Sequence, residues 1–296
     1  MIVRNVINVR DERLSSGIVP VIEIMSGVEQ TTDDDIVIDF AECQFVTPVF
    51  ALSLIVYLTR CGKKVALRNI NTYMKAIGFG DGGVKPDELR HSQFVAILEG
   101  FSHKTYIPIV DFPTRTLNDD KDTILSVVEN MIIRQSNISS NVAIGIKYII
   151  GESIDNITEH SHSDRGYIFA QAYPKKGFLD LCIADRGCTL LGSYNKMPGN
   201  EILSDIEAIQ AANRGISSKN LPSAENRGYG IMTSKKMLIE GLDGQYLMIS
   251  GSAFYAKGNG YDRFFSLPPG LRWNGTIIAL RIPYQAESFN YIKYIE

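Results

Sequence analysis

The sequence predicts an α/β unit followed by an α+β unit in which helices lie on a single sheet. Three observations support this. A capped helix stands between two strand-like runs near the start. Two long helical patterns lead into a series of strand-like runs. A polar stretch from Thr114 to Asp122 separates the halves.

In the first half, "DDDIVIDF" alternates into an apolar strand, "VTPVFALSLIVYLTRCG" reads as a helix, and "KKVALRNI" is a second strand. Thr47 suits the N-cap, Pro48 the first turn, and Gly62 a left-handed stop. Short joints make this a βαβ unit with parallel strands and a right-handed crossover. A short helix, "NTYMKAI", then runs into glycines. "DELRHSQFVAILEGF" is a further helix with Asp87 as its cap. The two prolines of "TYIPIVDFP" put that strand at an edge or make it end early. The expected division is residues 1–113, a linker at 114–122, and a second unit at 123–296.

The second half opens with the helices "TILSVVENMIIRQS" and "SSNVAIGIKYIIGESIDNITEHS". The strands "GYIFAQAYP", "FLDLCIAD", "QYLMISGSAFYAK", "RFFSLP" and "GTIIALRIP" follow. Between Arg186 and Gly228 runs a long segment with a central helix, "EILSDIEAIQAANRG", and a segment of that length is often a functional lid.

Composition narrows the function. A formal charge of -3 supplies no general field for nucleic acid, and no uncharged run reaches the roughly 20 residues a membrane helix needs. Four dispersed cysteines without a C-x-x-C pair, and a charged N-terminus without a secretory signal, fit a soluble cytoplasmic protein.

"GESIDNITEHS" gathers Glu152, Asp155, Asn156 and Glu159 on one helical arc, while Ile146, Ile150, Ile154 and Ile157 share another face. The acids lie near the helix C-terminus, where the macrodipole disfavours them, and no lysine or arginine on the same helix faces them. Two readings stand: a solvated helix end, or a ridge for a hard cation. Mg²⁺ usually takes one or two protein oxygens and completes its shell with phosphates and water. Asp185 and Gly187 end the run "FLDLCIADRG", where a carboxylate can accept from an adenine amine and glycine lets backbone approach. Gly228 and Gly230 precede a helix, so their N–H groups suit phosphate. Gly275 and Thr276 open the last strand.

The order Glu-x-x-x-Asn, Asp-x-Gly, Gly-x-Gly before a helix, then Gly-Thr, resembles the GHKL ATPases over about Asp122 to Pro283. The resemblance implies a two-layer α+β sandwich, the Bergerat fold, that binds ATP with Mg²⁺. It implies Asn156 as the metal ligand, Asp185 and Gly187 at adenine, Gly228 and Gly230 at phosphate, and Thr276 in support of adenine. Glu152 matches the general base of members with ATPase or protein serine/threonine kinase activity. Thr189 stands where the family has a second glycine, which predicts a differently hinged lid or reduced affinity. The segment Ile36 to Phe79 resembles a STAS domain, with Thr47 near the place of that module's phosphoacceptor serine.

Together these imply a regulatory protein in which nucleotide orders the lid and controls a protein partner through the STAS-like unit. Homodimers occur in several GHKL relatives. Two alternatives remain: a non-catalytic, nucleotide-gated interaction module, and an enzyme acting on an unrelated small substrate. "GFGDGG" follows a helix and reads as a loop. His91, His160 and His162 read as incidental, and Lys235 and Lys236 as a solvated helix face. Lys219 and Arg227 flank the lid.

Overall fold

A computed structural model describes residues 13–114, 118–135, 140–216, 230–283 and 289–295. It is a mixed α/β structure with one two-stranded parallel sheet and one seven-stranded antiparallel sheet.

A 3₁₀ turn at Leu14–Ile18 leads into α1 (Val19–Gln30). Strand β1 (Asp35–Asp39), helix α2 (Pro48–Leu58) and strand β2 (Lys64–Arg68) form the expected parallel unit. The punctuation holds as well. Thr47 Oγ1 accepts from Phe50 N at 3.3 Å, Pro48 opens the helix, and Gly62 has φ +70°. Helix α3 (Thr72–Ala76) runs into the glycine loop, and α4 (His91–Glu99) follows. Asp87 does not cap α4. The first turn closes on Gln93, whose side chain accepts from Arg90 N, and Asp87 instead pairs with Arg165 at 2.6 Å.

Strand β3 (Val110–Pro113) ends on its proline and is an edge strand, but of the seven-stranded sheet, where it pairs with β4 (Arg165–Tyr173). Helix α5 (Asn118–Gln135) already begins within the stretch expected as linker, and α6 (Ser140–His160) follows. Beyond β4 come β5 (Phe178–Asp185), α7 (Leu190–Tyr194), α8 (Asp205–Asn213) and α9 (Gly230–Lys236), which continues as a π-helical turn to Gly241. The apolar run "QYLMISGSAFYAK" folds as two strands, β6 (Gln245–Gly251) and β7 (Ala253–Gly258), because Gly251 takes φ +63° between them. Strands β8 (Tyr261–Ser266) and β9 (Trp273–Pro283) and the short α10 (Ile292–Ile295) complete the chain. The sheet order is β3-β4-β5-β9-β6-β7-β8.

The resemblance implied two layers; the central strands carry three. On one face, α5, α6 and the turn after α9 pack on Ile168, Leu181, Ile183, Met248 and Leu280. On the other, α1 and α2 pack on Phe169, Cys182, Ala184, Leu247 and Ile277. Every residue of α2 from Pro48 to Tyr57 is buried. A helix apolar around its whole circumference needs cover on all sides, and the back of the sheet supplies it. That is why β4 and β5 are buried on both faces, whereas antiparallel sheets commonly leave one face to water. Among the described residues no helix is long and apolar enough to cross a membrane.

Candidate functional site

Strand alternation aims Asp185. Leu179, Leu181 and Ile183 face α6, so Asp185 faces it too, at the strand end. By the same parity Thr276, two residues before Ile278, and Ser250, two after Met248, point the same way. The pairing of Ser250 with Thr276 across β6 and β9 completes a polar row on three adjacent strands.

Asp185 is 1% exposed. Its Oδ1 accepts from Gly187 N at 2.7 Å and its Oδ2 from Thr276 N at 3.1 Å. Burial pushes its carboxyl up to about 7, against the pull of those two N–H groups and, more weakly, of Arg60. Ser250 Oγ accepts from Leu190 N at 2.9 Å and donates to the Gly275 carbonyl at 2.9 Å, which ties the start of α7 to β9. The sequence reading missed Ser250, because which residues stand side by side depends on register between strands distant in the chain.

Close backbone approach explains Gly187. A Cβ there would overlap the Ser161 carbonyl oxygen and lie 2.9 Å from Ser163 N. The turn between α6 and β4 is pinned beneath the loop, and Cys188 N donates to that same Ser161 carbonyl at 2.8 Å. Thr189, the departure from the family pattern, has φ -69° and ψ 167°, an extended conformation that needs no glycine. Its side chain caps α7, accepting from Gly192 N at 3.1 Å.

These elements surround a cleft of about 600 Å³, its open mouth included. Asn156, Asp185 and Thr276 line it with Thr189, Ile231 and Ile278. The far wall is held by Tyr194, whose hydroxyl donates to the Ile216 carbonyl at 2.6 Å. Glu152 is not among the lining residues; its carboxylate abuts Gly230, where a Cβ would overlap Oε2 and stand 3.6 Å from Asn156 Nδ2. Asn156 Nδ2 donates to the Glu152 carbonyl at 2.6 Å, so the amide offers its oxygen to other partners. Gly228, Lys219 and Arg227 lie outside the described residues, as does the Glu159 side chain.

Among the described residues, no three His, Cys, Asp or Glu side chains form a metal-holding group. The nearest donor set is the Asn156 oxygen with Glu152 one turn before it. That suits an ion completing its shell with phosphate and water, and does not suit an all-protein cage.

The expected lid is in part firmly seated. Helix α8 packs on β6 and β7 and is capped by Ser204, with Glu207 closing a capping box. Asp205 Oδ2 accepts from Ser252 N and Oγ at 2.9 and 2.8 Å. Lys235 is not on a solvated face: it donates to the Asn213 carbonyl at 3.1 Å at the C-terminal end of α8 and lies 5.4 Å from the Tyr255 ring centroid. Burial first, then Lys257, lowers its ammonium to about 8.

The N-terminal unit reaches the site from behind. Arg60, just beyond α2, donates to the Arg186 carbonyl, while the Arg186 side chain makes a two-pronged pair with Asp164 at 3.1 and 2.8 Å. The Thr47 hydroxyl is committed to its cap, and Gly17 packs against it at a distance that leaves a Cβ 3.0 Å from Oγ1. No protein-family model matches this chain, and comparison with curated proteins finds no match.

Proposed function

We propose that the cleft binds an adenine nucleotide with Mg²⁺ and that the protein is a GHKL-like regulatory ATP-binding protein joined to a STAS-like unit. The observation that carries this reading is the Asp185 carboxylate. Gly187 N and Thr276 N each occupy one lone pair on its two oxygens, and the remaining acceptor capacity is left for the cleft. An exocyclic amine is the matching donor, and Ile231 and Ile278 offer apolar surface for a base.

The magnesium ion, when bound, would neutralise phosphate charge and polarise the transferred phosphoryl group. Asn156 would hold it through the amide oxygen. Glu152, one helical turn earlier, would orient the attacking water or protein hydroxyl and accept its proton. Thr276 fixes the Asp185 rotamer through its backbone, while Ser250 holds Thr276 and α7 in place. Hydrolysis and transfer to a protein hydroxyl demand the same arrangement, and the reading covers both. The link from Arg186 to Arg60 supports regulation through the N-terminal unit, because the loop carrying Asp185 is bonded directly to it. The committed Thr47 hydroxyl favours contact over phosphorylation as the means of that regulation.

Calorimetric titration of the full chain with ATP, with and without Mg²⁺, tests the reading. Binding that needs Mg²⁺ in the wild type and is abolished in Asn156→Ala is the expected result; unchanged binding in that variant removes the metal assignment. Absence of ATP binding under both conditions refutes it. Single-turnover measurement on wild type and Glu152→Ala then separates chemistry from binding alone.

A further inference from the structure

A second cleft opens on the opposite face of the same strand ends. It encloses about 600 Å³, its mouth included, and is lined by Glu29, Tyr57, Arg60, Arg272, Trp273 and Asn274. The end of α1 supplies Glu29, the end of α2 supplies Tyr57, and the start of β9 supplies Trp273 and Asn274.

The chemistry of this lining is specific. Two guanidinium groups face one carboxylate, and Glu29 is already engaged by the Tyr57 hydroxyl at 2.8 Å. Arg60 uses one nitrogen on the Arg186 carbonyl, and Arg272 Nη1 stands 3.5 Å from Asp205 Oδ2. Each guanidinium carries five N–H donors, so both retain donors beyond these contacts. Trp273 is 2% exposed and its buried Nε1 has no hydrogen-bond partner. The Trp273 side chain stands in the wall of the cleft together with the two arginines.

We propose that this cleft is a binding site for a small oxyanion that also carries a hydrogen-bond donor, of the hydrogen phosphate or phosphate monoester class. The arginine forks match the oxygens of such a group, and Glu29 selects for a hydroxyl on the same ligand. The site does not depend on the nucleotide reading, since it lies behind the sheet and shares no lining residue with the first cleft.

Trp273 is the only tryptophan of the chain, so its fluorescence reports this cleft alone. The full protein is titrated with inorganic phosphate, glycerol phosphate, sulfate and sodium chloride at matched ionic strength. A saturable change with phosphate or the monoester is expected, weaker with sulfate, which has no donor at neutral pH, and absent with chloride. The tighter of the first two identifies the source of the anion. Arg60→Gln and Arg272→Gln, both at exposed positions, each weaken binding about tenfold or more, the loss expected for one charge-assisted hydrogen bond. No response, a response reproduced in full by chloride or sulfate, or one that survives both arginine variants overturns the proposal. Because none of these readouts involves ATP, failure here and failure of the nucleotide reading are separate results.

Discussion

Replacing Asp185 by asparagine should make the stability difference between variant and wild type change sign with pH. Burial raises the Asp185 carboxyl from 3.8 to about 7. Between those values the folded state holds a proton that the unfolded state has released, so wild-type stability falls as pH rises through the window and levels off above it. A shift of about three units corresponds to about 4 kcal/mol, as an order of magnitude. The substituted amide cannot ionise and does not carry this slope. It carries a constant cost instead, because its nitrogen must face either Gly187 N or Thr276 N, donor against donor, at about 1–3 kcal/mol. The variant should therefore be the less stable protein near about pH 4 and the more stable one near about pH 8. Urea unfolding of both proteins across that range measures the difference directly, and the other carboxylates cancel in it. Parallel stability curves would show that Asp185 is ionised throughout and that the burial argument is wrong.

Two further outcomes follow from buried charge. Arg281→Met leaves Asp180, 1% exposed, without the guanidinium that donates to both its oxygens at 2.7 and 2.8 Å, and should cost about 3–5 kcal/mol in urea unfolding. Lys235→Met keeps the packing against Tyr255 but removes the donor to α8. Because burial lowers the lysine to about 8, the folded wild type sheds its proton first and gains stability as pH rises from there toward the ordinary lysine value, a gain that pH-dependent melting should find absent from the variant.

Local signals carried far in this sequence. Thr47, Pro48 and Gly62 bound α2 as their chemistry dictates, and Pro113 stops β3 at a sheet edge. The strands of the second half form on the apolar runs expected of them, except where a single glycine at 251 turns one run into a hairpin. What local pattern did not carry is pairing at a distance. Strand β3 reads as part of the first half because it is next to it in sequence, yet its hydrogen bonds go to β4. Asp87 has the position of a cap, and Arg165, 78 residues on, draws it away. Asn156, Asp185 and Thr276 were singled out by the motifs that carry the resemblance, and the cleft brings those three together. Ser250 and Lys235 carry no motif; their roles come from the strand and helix folded against them.

Helix α2 is buried around its whole circumference, and the consequence reaches the site. A helix that must be covered on every side cannot remain in a free-standing unit with only two short strands, so it is driven onto the back of the larger sheet. One continuous core then contains Phe50 and Leu54 together with Phe169, Ala184 and Ile277, and it crosses the boundary that composition placed near residue 114. Close packing leaves little freedom for the two halves to slide past one another. Polar links at the rim add to that core: Arg60 of the first half donates to the Arg186 carbonyl, and within the second half Arg272 reaches toward Asp205 of α8. Both links join the rear cleft to elements that build the front one, and any ligand that competes for either arginine must act on the loop that carries Asp185 or on the helix that walls its cleft.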